Sequence, residues 1–271
     1  MRSKIERYYL QREKNILRHL REFETAISET TLHDFRVELK KLRALLRFLQ
    51  EVYGKQEVKR IRKAVDAVFQ EAGTLREQQL FLLWLHTNRL GKLKKTYSGE
   101  HRVPEISESL QQVLKAIRKK LSALLDQHRK LVATTAQAVP EAYSTKLKHR
   151  IEKQLSQKPA EAEWHELRKL LKQWLYSVSW IEKQRSTSLS QLYRFSDQLQ
   201  QAIGNWHDAI HIHITLLTMK GHLPKDPKVQ KDHAAALQRV TVTIKQTATA
   251  VQQLLEHPVP AGKRSLPADT L

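Results

Sequence analysis

Residues 32–49 read LHDFRVELKKLRALLRFL, with too many leucines for a solvated tail and too many cations for an ordinary core helix. At about 100° per residue, Leu32, Phe35, Leu39, Leu42, Leu46 and Leu49 share one arc. His33, Arg36, Lys40, Arg43 and Arg47 fall within about 80° on the adjoining arc. The spacing predicts a helix that buries its leucines in a bundle and lays a rail of cations along the seam.

The pattern returns later in the chain. WHELRKLLKQWLYSVSWI at 164–181 aligns with it at an offset of 132, setting His33 on His165, Arg36 on Arg168 and Lys40 on Lys172. EAGTLREQQLFLLWL then aligns with QAIGNWHDAIHIHITLL at an offset of 131, setting Gly73 on Gly204, Arg76 on His207 and Glu77 on Asp208. Two matches in the same order predict a duplicated four-helix unit. In the second copy, Trp164, Leu167, Leu171, Trp174 and Val178 form the apolar arc, and His165, Arg168, Lys169 and Lys172 form a shorter cationic one. Leu175 and Ser179 stand where Arg43 and Arg47 stood.

The rest of the chain suits this reading. Over 271 residues there are only 7 glycines and 8 prolines, and good helix formers dominate, so the fold class expected is all-α. Helical segments are predicted at about 3–27, 31–52, 55–88, 104–136, from 140, 159–182, 188–220 and 228–256. Thr31-x-x-Asp34 reads as a capping box opening the second. The stretches 91–103 and 221–227 read as loops, and 257–271 as a flexible tail. The halves divide at about 1–136 and 137–256.

The net charge of +20 favours a polyanionic partner. The absence of cysteine excludes disulfides and thiolate metal sites. The amino terminus shows no apolar signal region, and the longest apolar run, Leu80–Leu85, is too short to span a bilayer. A cytoplasmic location is expected.

Flanking helices carry further cations at helical spacing. Lys4, Arg7, Lys14, Arg18 and Arg21 line the first, and Lys146, Arg150 and Lys153 the fifth. Basic faces are commonly solvated surfaces whose alkyl stems shield leucines. A merely soluble surface, however, has no reason to keep His, Arg and Lys in register between halves, and this favours an anion-binding role. Gly73 and Gly204 each cost about 1 kcal/mol against Ala inside a helix, so their matched positions suggest a close approach or a bend. Arg76, one turn on, is a ligand candidate.

These residues resemble the CHAD domain, the conserved histidine α-helical domain. Its signature is a His-x-x-Arg-x-x-x-(Lys/Arg)-(Lys/Arg)-Leu helix followed by a Leu-Gly-x-x-(Arg)-(Asp) segment. HDFRVELKKLRALL fits the first element closely and HELRKLLKQWLYSV fits it with a weaker second half, while AGTLRE and IGNWHD match the second loosely. The resemblance covers about 1–256. It implies two four-helix bundles related by a pseudo-two-fold, and a basic surface and central pore that bind inorganic polyphosphate without catalysis or cofactor. The Glu-x-Glu-x-Lys signature of the CYTH domain, a frequent fusion partner, is absent, so a stand-alone CHAD protein is expected. The implied polyphosphate ligands are His33, Arg36, Lys40, Lys41, Arg43, Arg47, Arg76, His165, Arg168, Lys169 and Lys172, with Arg18, Arg21, Lys146, Arg150 and Lys153 flanking. Gln173 and Leu175 depart from the basic positions. Association with polyphosphate granules is a corollary.

The alternatives are non-specific RNA or DNA binding and a metal-dependent phosphohydrolase. Single-strand readers stack bases on aromatics, but Phe35, Phe48, Trp164 and Trp174 fall on the apolar arcs. No P-loop or HExxH appears, and His207, Asp208 and His211 are the nearest approach to a metal site. A membrane role is not expected, because the leucine faces are committed to the bundles.

Overall fold

The computed structural model describes residues 4–22, 29–54, 56–100, 138–180 and 187–257, and every regular element among them is helical. The helices are α1 (Lys4–Glu22), α2 (Glu29–Tyr53), α3 (Gln56–Thr87), α4 (Gly91–Glu100), α5 (Ala138–Ser156), α6 (Trp164–Val178), α7 (Thr187–Met219) and α8 (Pro227–Glu256). The expected helix at 104–136 and residues 258–271 of the expected tail lie outside the described residues.

Local chemistry sets several ends. Gly54, at φ +60, ends α2 in a left-handed conformation that costs glycine little. Asp226 caps α8, its side chain accepting from the Lys228 amide at 2.8 Å, with Pro227 in the first turn. Two expectations are corrected. Helix α2 is already formed at Glu29, so Thr31-x-x-Asp34 lies inside it and does not open it. The stretch 91–100, expected as a loop, is α4. Only Leu93 and Tyr97 give α4 an apolar spacing, and both are buried against other helices. Packing overrides a Gly- and Lys-rich local sequence there.

Consecutive helices pack in two series, α1 to α4 and α5 to α8, which meet where α2 crosses α6 and where α4 touches α8. The hydrophobic interior does not divide along that line. One core takes Phe35, Leu39 and Phe48 from α2 together with Tyr143, Trp164, Trp174 and Trp180 from the later series. Phe48 lies 5.1 Å from Tyr143 and 5.3 Å from Trp180 between ring centroids. A second core, at the far ends of the long helices α3 and α7, joins Phe81 and Leu85 to Leu216, Val229 and Val240. At about 1.5–3 kcal/mol per fully buried large apolar side chain, these shared cores hold the two series together.

Among the described residues no helix is long and apolar enough to cross a membrane.

Candidate anion site between the two helix series

The cations of α2 rest on a stripe of α3. Asp66, Phe69 and Gly73 recur at helical spacing and face Arg43, Lys40 and Arg36 in antiparallel order. Arg43 Nε meets Asp66 Oδ1 at 2.5 Å. The Phe69 ring carries three cations, with Arg43 Cζ at 4.1 Å, Arg36 Cζ at 4.6 Å and Lys40 Nζ at 6.0 Å from its centroid. Each such contact contributes about 0.5–2 kcal/mol, depending on desolvation. Phe69 thus holds three like charges in a row that would otherwise repel.

Gly73 makes the next position habitable. A Cβ there would stand 2.8 Å from Arg36 Nη1, which donates to the Phe69 carbonyl at 3.5 Å. The second series repeats the arrangement. A Cβ on Gly204 would stand 2.8 Å from Arg168 Nη2, and Arg168 Nε donates to the Gln200 carbonyl at 3.1 Å. In both cases the accepting carbonyl belongs to the residue four before the glycine. The glycines therefore serve close approach, one of the two roles their spacing suggests, and what approaches is the signature arginine.

The two rows sense one another across the α2–α6 crossing. Burial first, then the charges of Lys172, Arg36 and Arg168, pull the Lys40 ammonium down to about 7. Burial and then Arg168 pull Lys172 down to about 8, although Asp208 and Asp197 oppose this. Burial also lowers Arg36, Arg47 and Arg168. Among the described residues none of these five cations has a carboxylate within ion-pair distance. Asp208 is the acid whose field reaches Arg36, Lys40, Arg168 and Lys172 together.

Several other expected ligands are already engaged. Lys41 pairs at 2.9 Å with Glu38, a buried carboxylate that also holds Arg12 at 3.1 Å. Lys169 pairs with Glu166 at 2.6 Å, and Lys146 with Glu51 at 2.5 Å. Arg18 lies 3.6 Å from Glu22, and Arg21 is exposed on the same outer face of α1. Arg76 Nη1 donates to Gln79 and, with burial, holds His33 below the usual imidazole range. Burial and then Lys169 and His207 do the same to His165. Arg47, Arg62, Arg150 and Lys169 line a cavity of about 500 Å³ shared by α2, α3, α5 and α6. Lys153 lies apart, with Lys146 and Arg150, on an open face of α5.

Gln173, the departure from the basic register, has a structural task. It is buried, and its amide donates to the Ala44 carbonyl at 2.7 Å and to the Tyr143 hydroxyl at 3.0 Å. It latches α6 to α2 and α5 where a lysine would bury a charge. Leu175 likewise belongs to the main core.

Sequence reasoning missed Phe69, Asp66 and the Glu38–Arg12 pair. The i, i+3, i+7 run of Asp66, Phe69 and Gly73 was available as a signal, but nothing local shows that it faces α2.

Fold and geometry define an all-helical protein whose half-buried cations gather from two matched helix pairs. The CHAD domain model matches residues 14–217, and the chain belongs to that family. Among solved structures, a CHAD domain from the plant Ricinus communis superposes with a TM-score of 0.69 at 16% identity, covering 95% of this chain and 93% of that one. PptA from Streptomyces chartreusis superposes with a TM-score of 0.62 at 15% identity, covering 94% of this chain and 100% of that one. At such identities the likeness is one of fold. No match was found among the sequences of curated proteins.

Proposed function

We propose that this chain binds inorganic polyphosphate, without turning it over, across the seam where α2 and α6 cross. One observation carries the reading. Arg36, Lys40, Arg47, Arg168 and Lys172 are half-buried and have no carboxylate in contact among the described residues. Desolvated cations of one sign are costly unless an anion neutralises them. A condensed phosphate chain offers about one negative charge per phosphate and no bases to read. Arginine grips two oxygens at once, and lysine follows as a mobile charge. The resemblance of both His-x-x-Arg helices to the CHAD signature supports the same ligand.

The aromatic side chains favour polyphosphate over single-stranded nucleic acid. Phe35, Phe48, Trp164 and Trp174 are buried in the core, so they offer no stacking platform. Among the described residues no group of three His, Asp or Glu is placed to hold a metal.

Calorimetric titration with polyphosphate tests the reading, with Lys40→Glu/Lys172→Glu as the site variant and Lys228→Glu on exposed α8 as the control. The site variant is expected to lose about a hundredfold in affinity and the control about twofold or less, with helicity retained in both. The wild-type affinity should fall linearly on a log–log plot against salt. Equal affinities for site variant and control would overturn the reading. Stronger retention of single-stranded RNA than of polyphosphate at matched salt would transfer it to nucleic acid.

A further inference from the structure

Three histidines on the second helix series form a column. The rings of His165 on α6 and His207 on α7 stack at 4.9 Å with 19° between their planes. The ring of His211, one turn on, follows His207 at 4.4 Å. His165 Nδ1 is buried and makes no hydrogen bond among the described residues.

At the position of His165 the first series also has a histidine, His33, but at that of His207 it has a permanent charge. Arg76 stands at the position of His207, and Leu80 at that of His211. The second series also gives up two rail cations, with Leu175 and Ser179 in place of Arg43 and Arg47. Its deficit in fixed charge therefore coincides with three neighbouring titratable rings beside Arg168. We propose that His165, His207 and His211 form a protonation-dependent phosphate subsite that extends the cationic seam along α7. This rests on the polyphosphate reading above.

The surroundings suit the role. The charged neighbours from α6 are Glu166, Arg168 and Lys169, and Glu166 is engaged by Lys169 at 2.6 Å. From α7, Asp208 Oδ1 lies 3.9 Å from His207 Nδ1, too far for a hydrogen bond. From α2, Arg47 reaches Glu166 and Lys40 reaches Asp208. Among the described residues no ion pair joins the column to α8, which packs on α7. Charged rings this close would repel one another, and burial, then Lys169 and His207, hold the His165 imidazole below its usual range. Phosphate oxygens against the rings reverse that balance and draw protons in.

The test is titration with medium-chain polyphosphate at constant ionic strength at about pH 6 and about pH 7.5, on either side of the imidazole pKa. Wild type is expected to bind about tenfold more tightly at the lower pH. His207→Gln/His211→Gln should remove the column's share of that gain, leaving what Lys40, at about 7, contributes over the same range, while changing the affinity at about pH 7.5 by about twofold or less. His207→Arg, the residue of the matching first-series position, should raise affinity at about pH 7.5. Imidazole NMR signals of the wild type give a second readout, and the three apparent pKa values should rise on addition of polyphosphate. An unchanged pH response in the double variant, or unchanged imidazole titrations, would sink the subsite while leaving polyphosphate binding intact. No binding by wild type at either pH would remove the polyphosphate reading and the subsite with it.

Discussion

The Arg36 guanidinium occupies the space that a side chain on Gly73 would fill, 2.8 Å from where its Cβ would sit, and Arg168 stands in the same relation to Gly204. The signature arginine and the glycine that follows it, distant in sequence, are two parts of one device. The glycine removes a methyl group from α3 or α7 so that a planar cation can lie flat on the helix and donate to its backbone. This fixes where the cation points.

Alanine at either glycine tests that device. In Gly73→Ala the clash falls on Nη1, the far end of a flexible side chain, so Arg36 swings away. The helix gains about 1 kcal/mol in propensity. Stability should therefore change by less than about 1 kcal/mol, while polyphosphate affinity falls by about three- to tenfold. Gly204→Ala should cost more, because its Cβ also meets Arg168 Nε at 3.2 Å and Cζ at 3.3 Å, and Nε is the hydrogen-bonded atom. Thermal unfolding and calorimetry on the two variants check the order. Equal costs would mean that the guanidiniums are not held.

Lys40 carries a pH signature of its own. Its folded pKa of about 7 lies below the ordinary 10.5, so between those values the unfolded chain binds more protons than the folded one. The penalty of the buried charge is full below about pH 7 and fades as pH rises towards 10.5. Lys40→Met should thus raise the melting temperature near pH 6 and lose that advantage by about pH 10. The same variant should bind polyphosphate more weakly. An advantage that did not change with pH would show that Lys40 is not the strained group.

Gln173→Leu removes the latch between α6, α2 and α5. Losing two buried hydrogen bonds should destabilise the fold by about 1–3 kcal/mol. Urea denaturation would show this as a lower midpoint at unchanged slope. An unmoved midpoint would mean that the apolar contacts around Phe48 and Trp180 hold the crossing unaided.

The sequence by itself determined the helical class, the leucine arcs of α2 and α6 and the matching register of His, Arg, Lys and Gly. All of these follow from the period of one helix, which is a local property. Only the tertiary structure decided which cations are free to meet an anion. Arg43 and Lys169 share the rail pattern with Arg36, Lys40 and Arg168, and Lys41 stands beside it, yet each spends its charge on a carboxylate of its own chain. The tertiary structure also turned the expected loop at 91–100 into α4, because Leu93 and Tyr97 find a core contributed by α3, α7 and α8. The physical reason is common to both. Pairing a charge or burying a side chain depends on partners many residues away, and no helical period records where those partners lie.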